Sequence, residues 1–195
     1  EVNDVGECIN ENKQAELVEL VSNLSKTSDV MIISGSLPQG VESDYYTKLF
    51  SVAAPQTLKI ADTEGAKLLA ALKTGLDLVK PNKDELQNTL QQEFKTREDL
   101  LKGCYSLLDK GAKRVLLSLG KRGAIITDGT KNYYCKSINV AINSTLGAGD
   151  GMVAAAAMRM EQGAPLDEIL RAGVAAGTAT VTTLGQISFT QEKFD

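Results

Sequence analysis

Residues 143–150, NSTLGAGD, place two glycines and an alanine directly before an aspartate, at the start of a predicted helix. Unpaired backbone amides at a helix N-terminus bind anions, and the helix dipole favours phosphate there. A carboxylate beside a bound phosphate can accept the proton of an attacking hydroxyl. Gly147, Ala148 and Gly149 are therefore candidates for an anion-binding turn, and Asp150 is a candidate general base.

A purely structural explanation of this segment is that the glycines loosen a turn and Asp150 caps the helix. It accounts for Asp150 but less well for Gly147 and Gly149. Glycine weakens a helix by about 0.5–1 kcal/mol relative to alanine, unless an unusual dihedral or a close approach to the backbone requires it. The segment therefore predicts a turn whose backbone is exposed to a ligand.

Two other phosphate-binding motifs are absent. A Walker loop needs a serine or threonine after its Gly-Lys pair, but Gly120 and Lys121 are followed by Arg122, and the position of its first glycine is Val115. A dinucleotide fingerprint opens the first strand–helix–strand unit and has a third glycine. The segment GAGDGM lacks that glycine and lies near the C-terminal end.

Composition narrows the chemistry further. The 195 residues include no histidine, which excludes Ser-His, Cys-His and His-metal mechanisms and leaves proton transfer to carboxylate, lysine, tyrosine or cysteine. The net charge of -4 and the absence of a basic run argue against nucleic acid as a partner. Cys8, Cys104 and Cys135 form no CxxC pair, and no apolar stretch has the ~18 residues of a membrane span. These features predict a cytoplasmic protein that binds no membrane.

The apolar periodicity predicts helices that alternate with strands. Strands are expected at 29–34, 57–62, 76–80 and 114–119, and helices at 15–24, 44–54, 64–73, 82–92 and 97–110. A hairpin with its turn at Asp128-Gly129 follows, and then helices at 149–162 and 165–184, the last ending at Gly185. This order predicts one α/β domain, 1–195, with a doubly wound, mostly parallel sheet and helices on both faces.

Four polar loops, SGSLPQG, DTEG, KPNKDE and SLGKRG, follow the ends of successive predicted strands. Each has a structural explanation of its own: Asn82 and Glu85 can form a capping box, Asp62 can cap the next helix, and the other two loops can be tight turns. Ligands of open parallel sheets bind outside the carboxyl ends of the strands. We therefore expect the four loops, together with TLGAGD, to surround one site.

In their order and spacing, the motifs ISGSLPQGV, DTEG, VKPNKDEL, SLGKRGA and STLGAGDGMVAA resemble those of the ribokinase-like carbohydrate kinases. Within that family they are most similar to the 1-phosphofructokinases and tagatose-6-phosphate kinases. The resemblance covers nearly the whole chain, and GAGD is its most specific mark. It implies an ATP- and Mg²⁺-dependent kinase that phosphorylates a hydroxyl of a phosphosugar. Overall likeness favours fructose 1-phosphate, giving fructose 1,6-bisphosphate, over tagatose 6-phosphate.

The resemblance also implies roles for individual residues. Asp150 corresponds to the catalytic base, and Gly147, Ala148 and Gly149 correspond to the anion hole for the transferred phosphoryl group. The other implied residues lie on the nucleotide side. Asn82 and Glu85 match an Asn-x-x-Glu motif that organises Mg²⁺ through water, and Lys80 adds positive charge. The ATP site is lined by Ser118, Gly120 and Gly123, and a small-residue helix over 173–180 covers the nucleotide.

The chain departs from the family pattern in two places. Gly151 stands where relatives more often carry serine or alanine. Family members also begin with a segment that carries much of the sugar-binding surface and a β lid through which relatives pair, and EVNDVGE resembles the strand that returns from that lid. We therefore expect the lid and the first strands to be missing, apolar surface to be exposed, and any homodimer to need that lid. The alternative to a kinase is a nucleotide-binding fragment without catalysis.

Overall fold

Helices and strands alternate along the computed structural model, which describes residues 6–183. The helices in this range are α1 Glu11–Ser25, α2 Tyr45–Ser51, α3 Gly65–Leu72, α4 Lys83–Leu90, α5 Arg97–Asp109, α6 Ala148–Glu161 and α7 Leu166–Val181. The strands are β1 Val30–Ser34, β2 Leu58–Asp62, β3 Leu78–Val79, β4 Val115–Ser118, β5 Ala124–Thr127 and β6 Asn132–Cys135. Each expected helix and strand is present with shifted ends, and the expected stop at Gly185 lies outside the described residues.

The strands form one sheet in which their spatial order follows their order in the chain. Strands β1 to β4 are parallel, and β5 and β6 add an antiparallel hairpin beside β4. The mostly parallel sheet is therefore confirmed. Because β1 to β4 run in one direction, their carboxyl ends lie at the same edge of the sheet, which we call the carboxyl edge.

Both faces of the sheet are covered, as expected. Successive strand residues point to opposite faces, so Ala61 and Val79 pack in the core under α2–α5, whereas Ile60 and Leu78 pack against α6 and α7. Right-handed crossovers between neighbouring parallel strands carry their helices to one face of a sheet. The opposite face is left to the two C-terminal helices, and this places α6 across the strands.

Small residues allow α6 and α7 to pack closely. A methyl group at Gly177 would lie 3.3 Å from the carbonyl oxygen of Ala148, and one at Gly173 would lie 3.1 Å from Cγ of Met152. The glycines of 173–180 therefore have a packing role that fixes the first turns of α6. Their role as a cover for a nucleotide stays a prediction.

An apolar surface is exposed on α1 and β1, as we expected. Leu17, Leu20 and Leu24 form a stripe along α1 and are 40%, 52% and 56% exposed, and Ile32 of β1 is 41% exposed. Within residues 6–183, β1 pairs with β2 alone and has an open edge. None of the helices in this range has the length and apolarity needed to cross a membrane.

Candidate active site

The four polar loops meet at the carboxyl edge, as the sequence predicted. The amide of Gly35 donates to the carbonyl oxygen of Asp62 (3.0 Å), and the amide of Lys80 donates to that of Ala61 (3.1 Å). Further along, the Ser118 amide donates to the carbonyl oxygen of Pro81 (3.0 Å). These hydrogen bonds join each loop to the loop of the neighbouring strand, so the four loops form one continuous rim.

The first turn of α6 packs against this rim. Gly147 precedes the helix with φ of 77°, a left-handed conformation that favours glycine. Gly149 lies beside the rim, because a methyl group in its place would be 3.4 Å from Lys80 Nζ and 3.8 Å from Asp62 Oδ2. The turn is partly exposed and lies next to the strand ends. This is the placement that the anion-site hypothesis requires.

Backbone amides at the start of α6 lack a hydrogen-bond partner within the part of the chain that the structure describes. Ala148 N makes a long hydrogen bond of 3.4 Å to the carbonyl oxygen of Thr145, and Gly151 N donates to that of Gly147 (2.9 Å). The amides of Gly149 and Asp150 have no hydrogen-bond partner among residues 6–183. They are the free donors that a helix N-terminus offers to an anion.

Asp150 does not cap α6. The N-cap residue is Gly147, and Asp150 lies within the first turn, with its side chain exposed. The capping explanation is therefore wrong for this residue. A carboxylate in this position is stabilised by the helix dipole by about 0.3–1 kcal/mol, and it remains accessible to a ligand at the rim.

Asp62 and Lys80 form a buried ion pair below the turn. The Nζ–Oδ1 distance is 3.0 Å, and the side chains of Lys80 and Asp62 are 5% and 13% exposed. Burial raises the pKa of the Asp62 carboxyl, the ammonium of Lys80 counteracts this rise, and the charge of Asp150 adds to it. The interpretation of Asp62 as a helix cap is wrong, because α3 has Glu64 at its N-cap.

Sequence reasoning missed Asp62 as a site residue. The available signal was its position at the end of one parallel strand, with Lys80 directly after the next strand. Neighbouring parallel strands bring such positions together at their carboxyl ends. The partial register, Ile60 with Leu78 and Ala61 with Val79, extends to Asp62 and Lys80.

Asn82 and Glu85 form the predicted capping box of α4. Asn82 Oδ1 accepts from the Glu85 amide (2.9 Å), and Glu85 Oε2 accepts from the Asn82 amide (2.7 Å). Burial raises the pKa of Glu85, and the bond from the Asn82 amide and the nearby Lys80 ammonium oppose that rise. The structural explanation is confirmed. Glu85 also interacts electrostatically with Lys80 and Asp62, and we call Asp62, Lys80, Asn82 and Glu85 the charge cluster.

The cluster offers limited ligation to a metal by itself. Two of the candidate oxygens, Asn82 Oδ1 and Glu85 Oε2, are already engaged in the capping box. Among the described residues, no group of three or more His, Cys, Asp and Glu side chains is arranged to hold a metal ion. Mg²⁺ commonly takes one or two carboxylates and completes its shell with water and substrate phosphates. Asn82 and Glu85 therefore fit a Mg²⁺ ion that is already coordinated by water and by the phosphates of a substrate.

The remaining candidates divide into two groups. Ser118 lies in the rim and forms a parallel bridge with Asn82. Gly120 (φ 57°) and Gly123 (φ 96°) shape the tight turn between β4 and β5. A methyl group at Gly123 would collide with the carbonyl oxygen of Cys135 in β6. The structure therefore brings Ser118 to the charge cluster and explains Gly123 by packing against the hairpin.

Comparison with known proteins gives consistent matches over nearly the whole chain. Residues 1–193 match the pfkB family carbohydrate kinase. The ATP-dependent 6-phosphofructokinase isozyme 2 of Escherichia coli is 38% identical over 183 residues, which are 92% of this chain and 59% of that protein. The 1-phosphofructokinase of Borreliella burgdorferi is 32% identical over 182 residues, which are 92% of this chain and 59% of that protein.

Among solved structures, phosphofructokinase-2 from Escherichia coli in complex with potassium matches with a TM-score of 0.89 and 36% identity. The match covers 96% of this chain and 61% of that chain. The chain thus spans 59% to 61% of the length of these relatives.

Proposed function

Because the chain belongs to the pfkB family of carbohydrate kinases, we propose that its carboxyl edge binds ATP and that the α6 turn directs phosphoryl transfer to a sugar-phosphate hydroxyl. One observation carries the proposal: the unpaired amides of Gly149 and Asp150 belong to a helix turn whose Gly149 borders the Lys80–Asp62 pair at the strand ends. Donors at a helix N-terminus next to a buried ammonium suit a group with several negative oxygens. Support also comes from the order of the motifs along the chain.

In the proposed reaction, Asp150 accepts the proton of the sugar hydroxyl as its oxygen bonds to the γ-phosphorus of ATP. The bond from that phosphorus to the bridging oxygen breaks, and ADP leaves with the electron pair. The turn of Gly147, Ala148 and Gly149 donates hydrogen bonds to the transferred group. Phosphoryl transfer needs mainly positioning and charge stabilisation, so these donors and a carboxylate suffice without a covalent enzyme intermediate.

The nucleotide side of the proposed site is the rim beyond Lys80. Asn82 and Glu85 would hold Mg²⁺ through water, and Ser118, Gly120 and Gly123 would line the ATP site. Mg²⁺, when bound, supplies positive charge to the phosphate oxygens. Lys80 adds a fixed positive charge from the protein.

For the acceptor we propose fructose 1-phosphate, with fructose 6-phosphate and tagatose 6-phosphate as alternatives. The relatives named above are called 6-phosphofructokinase and 1-phosphofructokinase, which supports a phosphorylated ketohexose as the substrate class. A homodimer, which the resemblance implies, and a cytoplasmic location, which the composition predicts, remain predictions for this chain.

Calorimetry and a turnover assay together test this function. We expect the chain to bind ATP with Mg²⁺, and we expect a coupled ADP-release assay with a panel of ketohexose phosphates to identify the acceptor. Failure to bind ATP would contradict the proposal. Binding without turnover would instead support a nucleotide-binding unit, the alternative favoured by the 59% to 61% coverage of its relatives.

The two capping boxes allow the roles of Asn82 to be separated. Asn82→Ala should lower the free energy of unfolding by about 0.5–2 kcal/mol, since it removes an N-cap, and should also weaken ATP binding. Thr96→Ala is the control: Thr96 caps α5 in the same way, so it should cost similar stability and leave ATP affinity unchanged. Equal ATP affinity in both variants, measured by calorimetry beside denaturant unfolding, would reduce Asn82 to a cap.

A further inference from the structure

Lys80 is an unusual lysine within residues 6–183, where it is the one buried basic residue. Lysines rarely lie fully inside a protein unless they are paired. A buried ion pair is weak evidence for stability, because the desolvation of two charges opposes their attraction. The Lys80–Asp62 pair therefore calls for an explanation other than the folding of the sheet.

The pair at the opposite edge of the sheet provides a contrast. Asp77 precedes β3 and is 9% exposed, and its Oδ1 accepts from Lys113 Nζ at 2.8 Å. The side chain of Lys113 is 66% exposed. In that pair the ammonium remains in water, whereas at the carboxyl edge both charges are buried against the first turn of α6.

The Lys80 ammonium has more than one carboxylate within electrostatic reach. It acts on Asp62, with which it makes the ion pair, and also on Glu85 at the start of α4. Asp62 lies on the side of α6, since its Oδ2 would be 3.8 Å from a methyl group at Gly149. The ion pair with Asp62 therefore keeps the Lys80 ammonium beside Gly149, in the first turn of α6.

We propose that Asp62 is a positioning residue that holds the Lys80 ammonium against the first turn of α6, ready for a phosphate group at the Gly149 and Asp150 amides. This inference rests on the proposed function, because it assumes that phosphate binds at that turn. A lysine side chain loses considerable rotamer freedom when it is fixed. With Asp62 in place, that loss occurs on folding and not when the nucleotide binds.

The direction in which ATP affinity changes when Asp62 is removed distinguishes two roles of this carboxylate. A negative charge close to a phosphate site should repel the phosphate, so if only charge mattered, removal of Asp62 would strengthen ATP binding. If Asp62 acts by holding Lys80, its removal should weaken binding, and the effect should disappear when Lys80 has no charge to be held.

A double-mutant cycle with Asp62→Asn, Lys80→Met and the double variant tests this coupling. The probes are ATP with Mg²⁺ and inorganic tripolyphosphate with EDTA, measured by calorimetry on the whole chain. We expect Asp62→Asn alone to weaken both probes about tenfold, as for the loss of one well-placed charged hydrogen bond. In the Lys80→Met background the same substitution should have no further effect.

Matched controls accompany the cycle. Asp77→Asn removes the carboxylate from the Asp77–Lys113 pair, and its affinity for both probes should equal that of the unmodified chain. Circular dichroism and denaturant unfolding establish that each variant is folded. If Asp62→Asn does not fold, Asp62→Glu replaces it in the cycle, since it keeps the charge but displaces the ammonium, and its several-fold loss of affinity should again require Lys80.

Three results would overturn the inference. The first is tighter binding of the probes after removal of Asp62, and the second is an equal loss of affinity with and without Lys80. The third is a loss of affinity for ATP with Mg²⁺ but not for tripolyphosphate with EDTA, which would assign Asp62 to the metal. If the unmodified chain bound neither ATP nor tripolyphosphate, the proposed function itself would fail, and the inference would fail with it.

Discussion

Turnover is expected to fall about 10²–10⁴-fold when Asp150 is replaced by asparagine, because the variant cannot accept the proton of the attacking hydroxyl. The substitution keeps the size and polarity of the side chain. It also leaves the free amides of the first turn of α6 in place, because Asp150 does not cap that helix. ATP affinity should therefore be retained while the chemical step slows.

The experiment compares the release of ADP with the binding of ATP in the same preparations. Glu161→Gln is the matched control, since Glu161 is an exposed carboxylate at the other end of α6. That control should turn over normally. Unchanged turnover in the Asp150 variant would remove this residue from its role as the base, whereas a parallel loss of ATP binding would point to damage to the turn.

Gly149→Val is expected to lower turnover about 10²–10³-fold, the usual effect when a transferred group can no longer reach one donor that stabilises its developing negative charge. A single methyl group at this position would lie 3.4 Å from Lys80 Nζ. Valine adds two more carbons, which must be accommodated beside the Lys80–Asp62 pair. The substitution should therefore block the position that we assign to the transferred phosphoryl group.

Gly151→Ala is the control for this variant, because it adds a methyl group to the same helical turn outside the proposed anion hole. It should leave turnover unchanged and raise the free energy of unfolding by about 0.5–1 kcal/mol, since alanine is the better helix former. Both variants should be measured in the coupled assay and in denaturant unfolding. A Gly149→Val variant that is folded and turns over at a near-normal rate would contradict the anion hole.

Local patterns in the sequence were sufficient to predict the elements of this fold. The capping box of Asn82 and Glu85 joins residues three apart, and the Asp128-Gly129 turn lies within four residues of the strands it connects. Such features depend on neighbouring dihedrals and on the periodicity of apolar residues. They can therefore be predicted without the tertiary structure. The edge of the sheet at which the polar loops meet can also be predicted, because it follows from the parallel direction of the strands.

The partners of the charged groups were decided only by the tertiary structure. From the sequence, a helix cap was one explanation for Asp62 and for Asp150, and the structure contradicts it for both residues. The ion pair of Asp62 with Lys80 needs two strands in register, and its place below Gly149 needs α6 to cross the opposite face of the sheet. The sequence by itself determined which elements form and which residues stand at their ends, because those depend on near neighbours. The contacts between residues at the ends of different helices and strands depend on how segments far apart in the sequence pack together, and no local pattern encodes that packing.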